Sequence, residues 1–245
     1  MKLKPSHPAL SEARTIHTKY VFPVDGTKRI LKPATTNDKI GNGSFVIRKG
    51  AWRGFPLFSV TLQERATCPT DCMRWAECYG NGMGLAHRFE HGAAFEAQLL
   101  REIEATARLY PFGFAVRLHI LGDFYSAEYV HQWRDMLAKF PNLHVYGYTA
   151  RHDGIIGDAV RAVRVLFGDR FWIRFSRNNE YGGGDIYAAD KGKVAKGILC
   201  PEQTGKAQSC LDCGLCWAVN TTIIFQDHDE LNKQRKLKAN ENSNG

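Results

Sequence analysis

Seven cysteines fall into two groups, Cys68, Cys72 and Cys78 in one short stretch and Cys200, Cys210, Cys213 and Cys216 in another. Four thiolates close a tetrahedral metal or cluster site, whereas three leave one position for a substrate, a water or a cofactor. The grouping predicts one complete site and one incomplete site. The second group reads C-x9-C-x2-C-x2-C. Its C-x2-C-x2-C run is a ligand spacing of [4Fe-4S] clusters, with a remote cysteine, here Cys200 followed by Pro201, supplying the fourth corner. A structural zinc held by all four cysteines competes with that reading, although zinc more often uses two separated C-x2-C knuckles. At the first group the rival to a cluster is a three-cysteine zinc site completed by His87 or His91.

These residues need a scaffold, and the chain of 245 residues, 44% apolar and 11% aromatic, is long enough to bury a full core. Short β-branched and aromatic runs predict strands at 44–50, 56–62, 114–121, 143–149 and 171–176, with weaker ones at 186–188, 196–200 and 221–226. Helical spacing of apolar residues fills 89–110, 126–140 and 155–167. Alternating strands and helices predict a parallel sheet with right-handed crossovers. The expected organisation is an N-terminal arm with the first strand (1–55), a β/α core carrying the three-cysteine loop (56–195), the last strands with the four-cysteine region (196–231) and a disordered basic tail (232–245).

In parallel α/β architectures, sites gather at the C-terminal ends of strands. The three-cysteine loop follows strand 56–62, GDFYS follows 114–121, TARHD follows 143–149 and SRNN follows 171–176. Asp123 is the strongest polar candidate there. His119 shares a strand face with Arg117, and Tyr125, Tyr148, Arg151 and His152 lie on the same rim. A buried histidine in hydrogen-bonded packing, and tyrosines in capping roles, are the bland readings of these residues. Trp75 and Tyr79 flank the first cysteines and would exclude water from a cluster. Arg161 and Arg164 read as a solvated helix face, and GGG at 182–184 lacks the context of a phosphate loop.

A cysteine loop after one strand and a Gly-acid pair after the next resemble the layout of the radical SAM superfamily over roughly 56–226. The resemblance implies a partial (β/α)6-type parallel barrel. It implies a [4Fe-4S] cluster on Cys68, Cys72 and Cys78, whose open iron is chelated by S-adenosylmethionine, and a second, auxiliary cluster on the other four cysteines. Gly122 and Asp123 stand where the family's Gly-Glu pair holds the methionine amino group. Arg174, Ser176 and Arg177 stand where the carboxylate and ribose are contacted. His119, Asp123 and Tyr125 are the candidate catalytic residues, and the electron donor would be a flavodoxin or ferredoxin. The loop spacing here is C-x3-C-x5-C, where the family has C-x3-C-x2-C, and the aromatic Tyr79 follows the last cysteine instead of preceding it. TCPTDCMRWAECYGNGM and CPEQTG...SCLDCGLCW also resemble a small cysteine-rich group of bacterial and phage proteins.

Lys and Arg number 33 against 25 Asp and Glu, a formal charge of +8, which favours a nucleic acid or nucleotide as partner. Several of those cations lie near the ends, as in KQRKLK at 233–238, and a surplus of this size also serves solubility. The N-terminal stretch lacks the apolar core of an export signal, and no apolar run approaches ~18 residues, so the expected setting is a reducing cytoplasm with no membrane span. Three functions follow as expectations. One is a radical SAM-like enzyme. Another is a non-catalytic iron–sulfur or zinc protein that binds nucleic acid, and the third is an electron-transfer protein.

Overall fold

The computed structural model describes residues 1–176, 186–191 and 196–226. A short helix α1 (Pro8–Ser11) and strands β1 (Val21–Phe22) and β2 (Lys32–Pro33) belong to the N-terminal arm. They are followed by β3 (Leu57–Ser59), β4 (Arg88–Phe89), α2 (Ala93–Leu109), β5 (Phe114–Leu118), α3 (Ala127–Lys139), β6 (Leu143–Thr149), α4 (Gly154–Leu166) and β7 (Phe171–Ser176). The last elements of the described residues are β8 (Tyr187–Asp190), β9 (Ile198–Leu199), α5 (Cys210–Cys213) and β10 (Ile223–Phe225). The helices start where local chemistry permits. Ser126 accepts a hydrogen bond from the Tyr129 amide at 3.1 Å and caps α3, and Pro111 follows the end of α2.

Eight strands make one sheet in the order β2-β3-β5-β6-β7-β8-β10-β9, with β2 antiparallel to β3 and the other neighbours parallel. Pro33 suits the edge position of β2, where its missing N–H breaks no ladder. A separate pair joins β1 to β4. One face of the large sheet, with Phe58, Val116, Leu118, Val145, Ile173 and Phe175, is buried under Leu99 and Ile103 of α2, Trp133 and Leu137 of α3, and Val160 of α4. Leu57, Ala115 and Tyr146 point to the other face. There they meet Ile40, Ile47 and Trp52 of the arm, and Leu211 and Trp217 of the four-cysteine segment. Trp52 and Trp217 stack with ring centroids 5.4 Å apart and planes 4° from parallel.

The expected barrel does not form. The sheet is open and mixed, its edges are β2 and β9, and β10 inserts between β8 and β9. A sheet must cover both faces, and here the second face is covered by aromatic side chains from coil and from the four-cysteine segment instead of by further strands. Crossover helices α2, α3 and α4 all lie on one side, and among the described residues no long helix follows β7. Two strand expectations also shift. Residues 44–50 contribute only an isolated bridge between Val46 and Pro56, and the strand expected over 114–121 ends at Leu118. The expected tail and GGG at 182–184 lie outside the described residues. No helix among the described residues is long and apolar enough to cross a membrane.

Candidate metal centres

Cys68, Cys72 and Cys78 lie between β3 and β4, in a loop held from beneath by buried charge. Arg88, fully buried, grips Glu64 through Nε at 2.6 Å and Nη2 at 3.1 Å, and donates to the carbonyls of Gly80, Met83 and Ala86. Thr15 of the arm adds a hydrogen bond to Glu64 at 2.7 Å. Arg65, in the left-handed region at φ 66°, donates to Trp75 O at 3.0 Å and to Asn81 Oδ1 at 2.6 Å. The loop is therefore fixed on both sides of its cysteines. Burial, then the nearby Asp123 carboxylate and the other two thiols, push Cys68 well up from its usual range. Burial raises Cys72, and raises Cys78 to about 11. Three half-buried thiols that disfavour one another's ionisation suit a cation, which would hold them as thiolates.

The residues expected to serve a cofactor beside this loop have other duties. Gly122 has φ +83°, and a Cβ there would lie 2.6 Å from both Leu62 Cβ and Thr67 Oγ1. The side of Gly122 that a Cβ would occupy faces the loop after β3. The Asp123 carboxylate accepts from the Phe124 amide at 2.7 Å, Thr149 Oγ1 at 2.6 Å and the Ala150 amide at 2.7 Å, tying the end of β5 to the end of β6. Burial raises its pKa to about 6 against these hydrogen bonds. His119 is buried, bonded through Nε2 to Tyr129 Oη at 3.1 Å, with its ring against Phe124. Burial, then the Arg117 charge, lowers its pKa to about 3, so it is a neutral core residue. Tyr125 donates to Glu96 Oε1 at 2.6 Å and stacks on Tyr129. His87 packs on Phe22 and His91 on Tyr125.

Cys200, Cys210, Cys213 and Cys216 line a single cavity with Pro201, Glu202 and Trp217. Helix α5 carries two of them, and Gly214, left-handed at φ +72°, turns the chain so that Cys216 comes back to the same space. Burial raises Cys200 and Cys213, and burial with the neighbouring Cys216 raises Cys210 well up. All seven cysteines are free of disulfides. An all-thiol donor set is the chemistry of zinc and iron–sulfur sites. As placed, no group of three or more His, Cys, Asp or Glu side chains among the described residues forms a single-ion ligand set.

Arg174, in which the family resemblance sees a contact for a cofactor carboxylate, is fully buried and engaged with backbone carbonyls. Its guanidinium donates to the carbonyls of Cys216 (3.1 Å), Leu215 (3.2 Å), Val219 (2.5 Å), Thr221 (2.9 Å) and Tyr187 (3.4 Å). It shapes the backbone of the four-cysteine segment. Ser176 ends β7 half-buried, and Arg177 lies outside the described residues. Arg161, expected on a solvated face, is half-buried, donates to His152 O at 2.7 Å and covers the Phe175 ring. Arg151 ties the rim together through Phe124 O at 3.0 Å and Thr67 O at 2.9 Å.

Tyr148, expected on the rim, also reaches the four-cysteine segment. Its hydroxyl donates to Cys216 Sγ at 2.8 Å, and the Arg117 guanidinium lies over its ring, 4.5 Å from the centroid. Alternation along β6 was the available signal, since Tyr146 and Tyr148 share the face that receives the four-cysteine segment.

The family model for Gene product 88 matches residues 28–197. The match takes in Cys68, Cys72 and Cys78, ends just before Cys200, and carries no link to the radical SAM superfamily. No curated protein and no solved structure matches the chain. With more than half of its length under that model, the chain belongs to the Gene product 88 family.

Proposed function

We propose that this is an iron–sulfur protein with a closed four-cysteine centre and an open three-cysteine centre, at which an exogenous ligand completes the coordination and is the site of chemistry. One observation carries this reading. Three half-buried thiols that act on one another sit on a loop clamped by Arg65 and Arg88, while the other four cysteines line their own cavity. A purely structural site gains nothing from a missing ligand. A cluster there would supply one-electron reduction to whatever binds its free iron. S-adenosylmethionine is the ligand to test first. Asp123 and Arg174 already make several internal hydrogen bonds, so a ligand there would share them with the surrounding backbone. The charge of +8 supports a nucleic acid or nucleotide as the molecule acted on. Seven free thiols suit a reducing compartment such as the cytoplasm.

The test is anaerobic purification with iron and sulfide counts, an absorbance spectrum, and electron paramagnetic resonance with and without S-adenosylmethionine. The expected protein is brown and carries roughly eight irons per chain, and a ligand at the open iron changes the signal lost in Cys68→Ala. A colourless protein with stoichiometric zinc would replace this reading with that of a zinc-held nucleic-acid-binding module.

A further inference from the structure

The N-terminal arm meets α2 along a groove of about 510 Å³, with Gly26 and Arg29 on one wall and Gln98, Arg101, Glu102 and Leu109 on the other. Glu102 fastens the two walls together. Its carboxylate accepts from the Ile30 amide at 3.0 Å, the Leu31 amide at 2.8 Å and Gln98 Nε2 at 2.7 Å, so this acid is spent on internal donors. Asp25 is likewise spent on Thr27, whose amide lies at 2.9 Å and hydroxyl at 2.6 Å. Arg29 and Arg101 are exposed, and neither forms an ion pair among the described residues. Lys28 carries this surface onward. Its carbonyl accepts from Gln98 Nε2 at 2.7 Å, and its ammonium lies 4.6 Å from the centroid of the Phe22 ring. Phe22 in turn meets the exposed ring of His87, with centroids 4.8 Å apart. The far end adjoins the three-cysteine loop, because Val21 and Phe22 of β1 are in register with Arg88 and Phe89 of β4, and Arg88 clamps that loop.

We propose that this surface binds single-stranded nucleic acid, with Arg29, Arg101 and Lys28 on phosphates and His87, backed by Phe22, stacking on a base. The proposal rests on the nucleic-acid part of the reading above and needs no metal at either cysteine group. Cations without a carboxylate partner gain most from phosphate, because each phosphate neutralised releases a condensed counterion. An aromatic face beside those cations selects an unpaired base, since a duplex keeps its bases stacked on one another. An acidic peptide would answer the arginines and leave the ring face unused. A strand laid along this surface is led toward Cys68, Cys72 and Cys78, where the proposed chemistry sits.

The experiment is fluorescence anisotropy on the full chain with a labelled oligothymidylate, an oligouridylate and a duplex of equal length, each over a range of salt. Both single strands should bind more tightly than the duplex. The double variant Arg29→Gln, Arg101→Gln should bind more weakly and flatten the slope of log affinity against log salt by about 1.4, or about 0.7 per phosphate contact. His87→Ala should lose roughly tenfold in affinity with the slope unchanged. Arg134→Gln, on the exposed surface of α3, should change neither, and every variant should melt as the parent does. Equal losses in Arg134→Gln and the double variant would overturn the surface, as would unchanged binding in His87→Ala. Duplex binding as tight as single-strand binding, or competition by polyglutamate as strong as by unlabelled oligothymidylate, would also overturn it. Those results leave the iron–sulfur reading standing. A parent chain that binds none of the three probes would instead remove the nucleic-acid part of that reading, and the surface with it.

Discussion

Arg174 donates to the carbonyl of Cys216 at 3.1 Å, and the same guanidinium holds four more carbonyls of the surrounding backbone. A planar fork with five donors can serve such a ring of acceptors, and a lysine ammonium cannot. Arg174→Lys and Arg174→Met should both destabilise the protein, by about 3–5 kcal/mol, because buried carbonyls lose their partners. Denaturant melts and metal analysis check this. Any metal bound by Cys200, Cys210, Cys213 and Cys216 should fall with stability, more than any bound by Cys68, Cys72 and Cys78.

The Glu64–Arg88 pair lies wholly inside, with side chains 1% and 0% exposed. Removing one partner leaves a buried charge without its counterion, so Glu64→Gln should cost about 3–5 kcal/mol. Since Arg88 also holds Gly80, Met83 and Ala86, the three-cysteine loop should loosen first. Hydrogen exchange at residues 78–86 should quicken more than exchange in α3. Equal acceleration everywhere would show that the pair supports the whole fold instead of the loop.

Gly122→Ala should destabilise the protein by roughly 2–4 kcal/mol. The added methyl meets Leu62 and Thr67 at 2.6 Å, and the backbone at φ +83° is one that side chains avoid. A melt of the metal-free and metal-loaded variant should show the same loss in both. A loss confined to the loaded form would point to a ligand contact at this glycine.

Asp123 and His119 give opposite pH dependences. The folded Asp123 pKa is raised to about 6, so its proton is held more tightly in the native state. Its contribution is present at acid pH and is lost as pH rises from about 4 through 6. His119 is depressed to about 3, so its contribution is present above about 6.5 and is lost as pH falls toward 3. Between about pH 4 and 6 the two slopes oppose each other. Relative to the parent, Asp123→Asn should gain stability as pH rises across that window, and His119→Phe should lose it. Each difference amounts to a few kcal/mol at most. The asparagine also places a donor opposite the Ala150 or Phe124 amide, so its melts should start about 1–3 kcal/mol lower.

Local patterning located the elements well. The expected strands at 143–149 and 171–176 coincide with β6 and β7, and the capping Ser126 marks the start of α3. The four later cysteines, adjacent in sequence spacing, also line one cavity. Closure of the sheet was not legible, because it depends on what covers the second face. Trp52, Leu211 and Trp217 do that from segments without strand or helix periodicity. The roles of Gly122, Asp123 and Arg174 were equally hidden. Each has partners far along the chain, such as Thr149 for Asp123 and Val219 for Arg174. A family motif assigns a position, but these long-range partners decide what the side chain does there.

The Trp52–Trp217 stack has an optical consequence. Trp217 follows Cys216 directly, and its partner ring comes from the opposite end of the chain. Two indoles held 4° from parallel should split their electronic transitions and give a paired near-ultraviolet circular dichroism band. A cluster bound beside Cys216 should in addition quench their emission. Trp52→Phe should erase the band and keep the quenching of Trp217, so the intact protein reports by light on the four-cysteine segment before its sheet has melted.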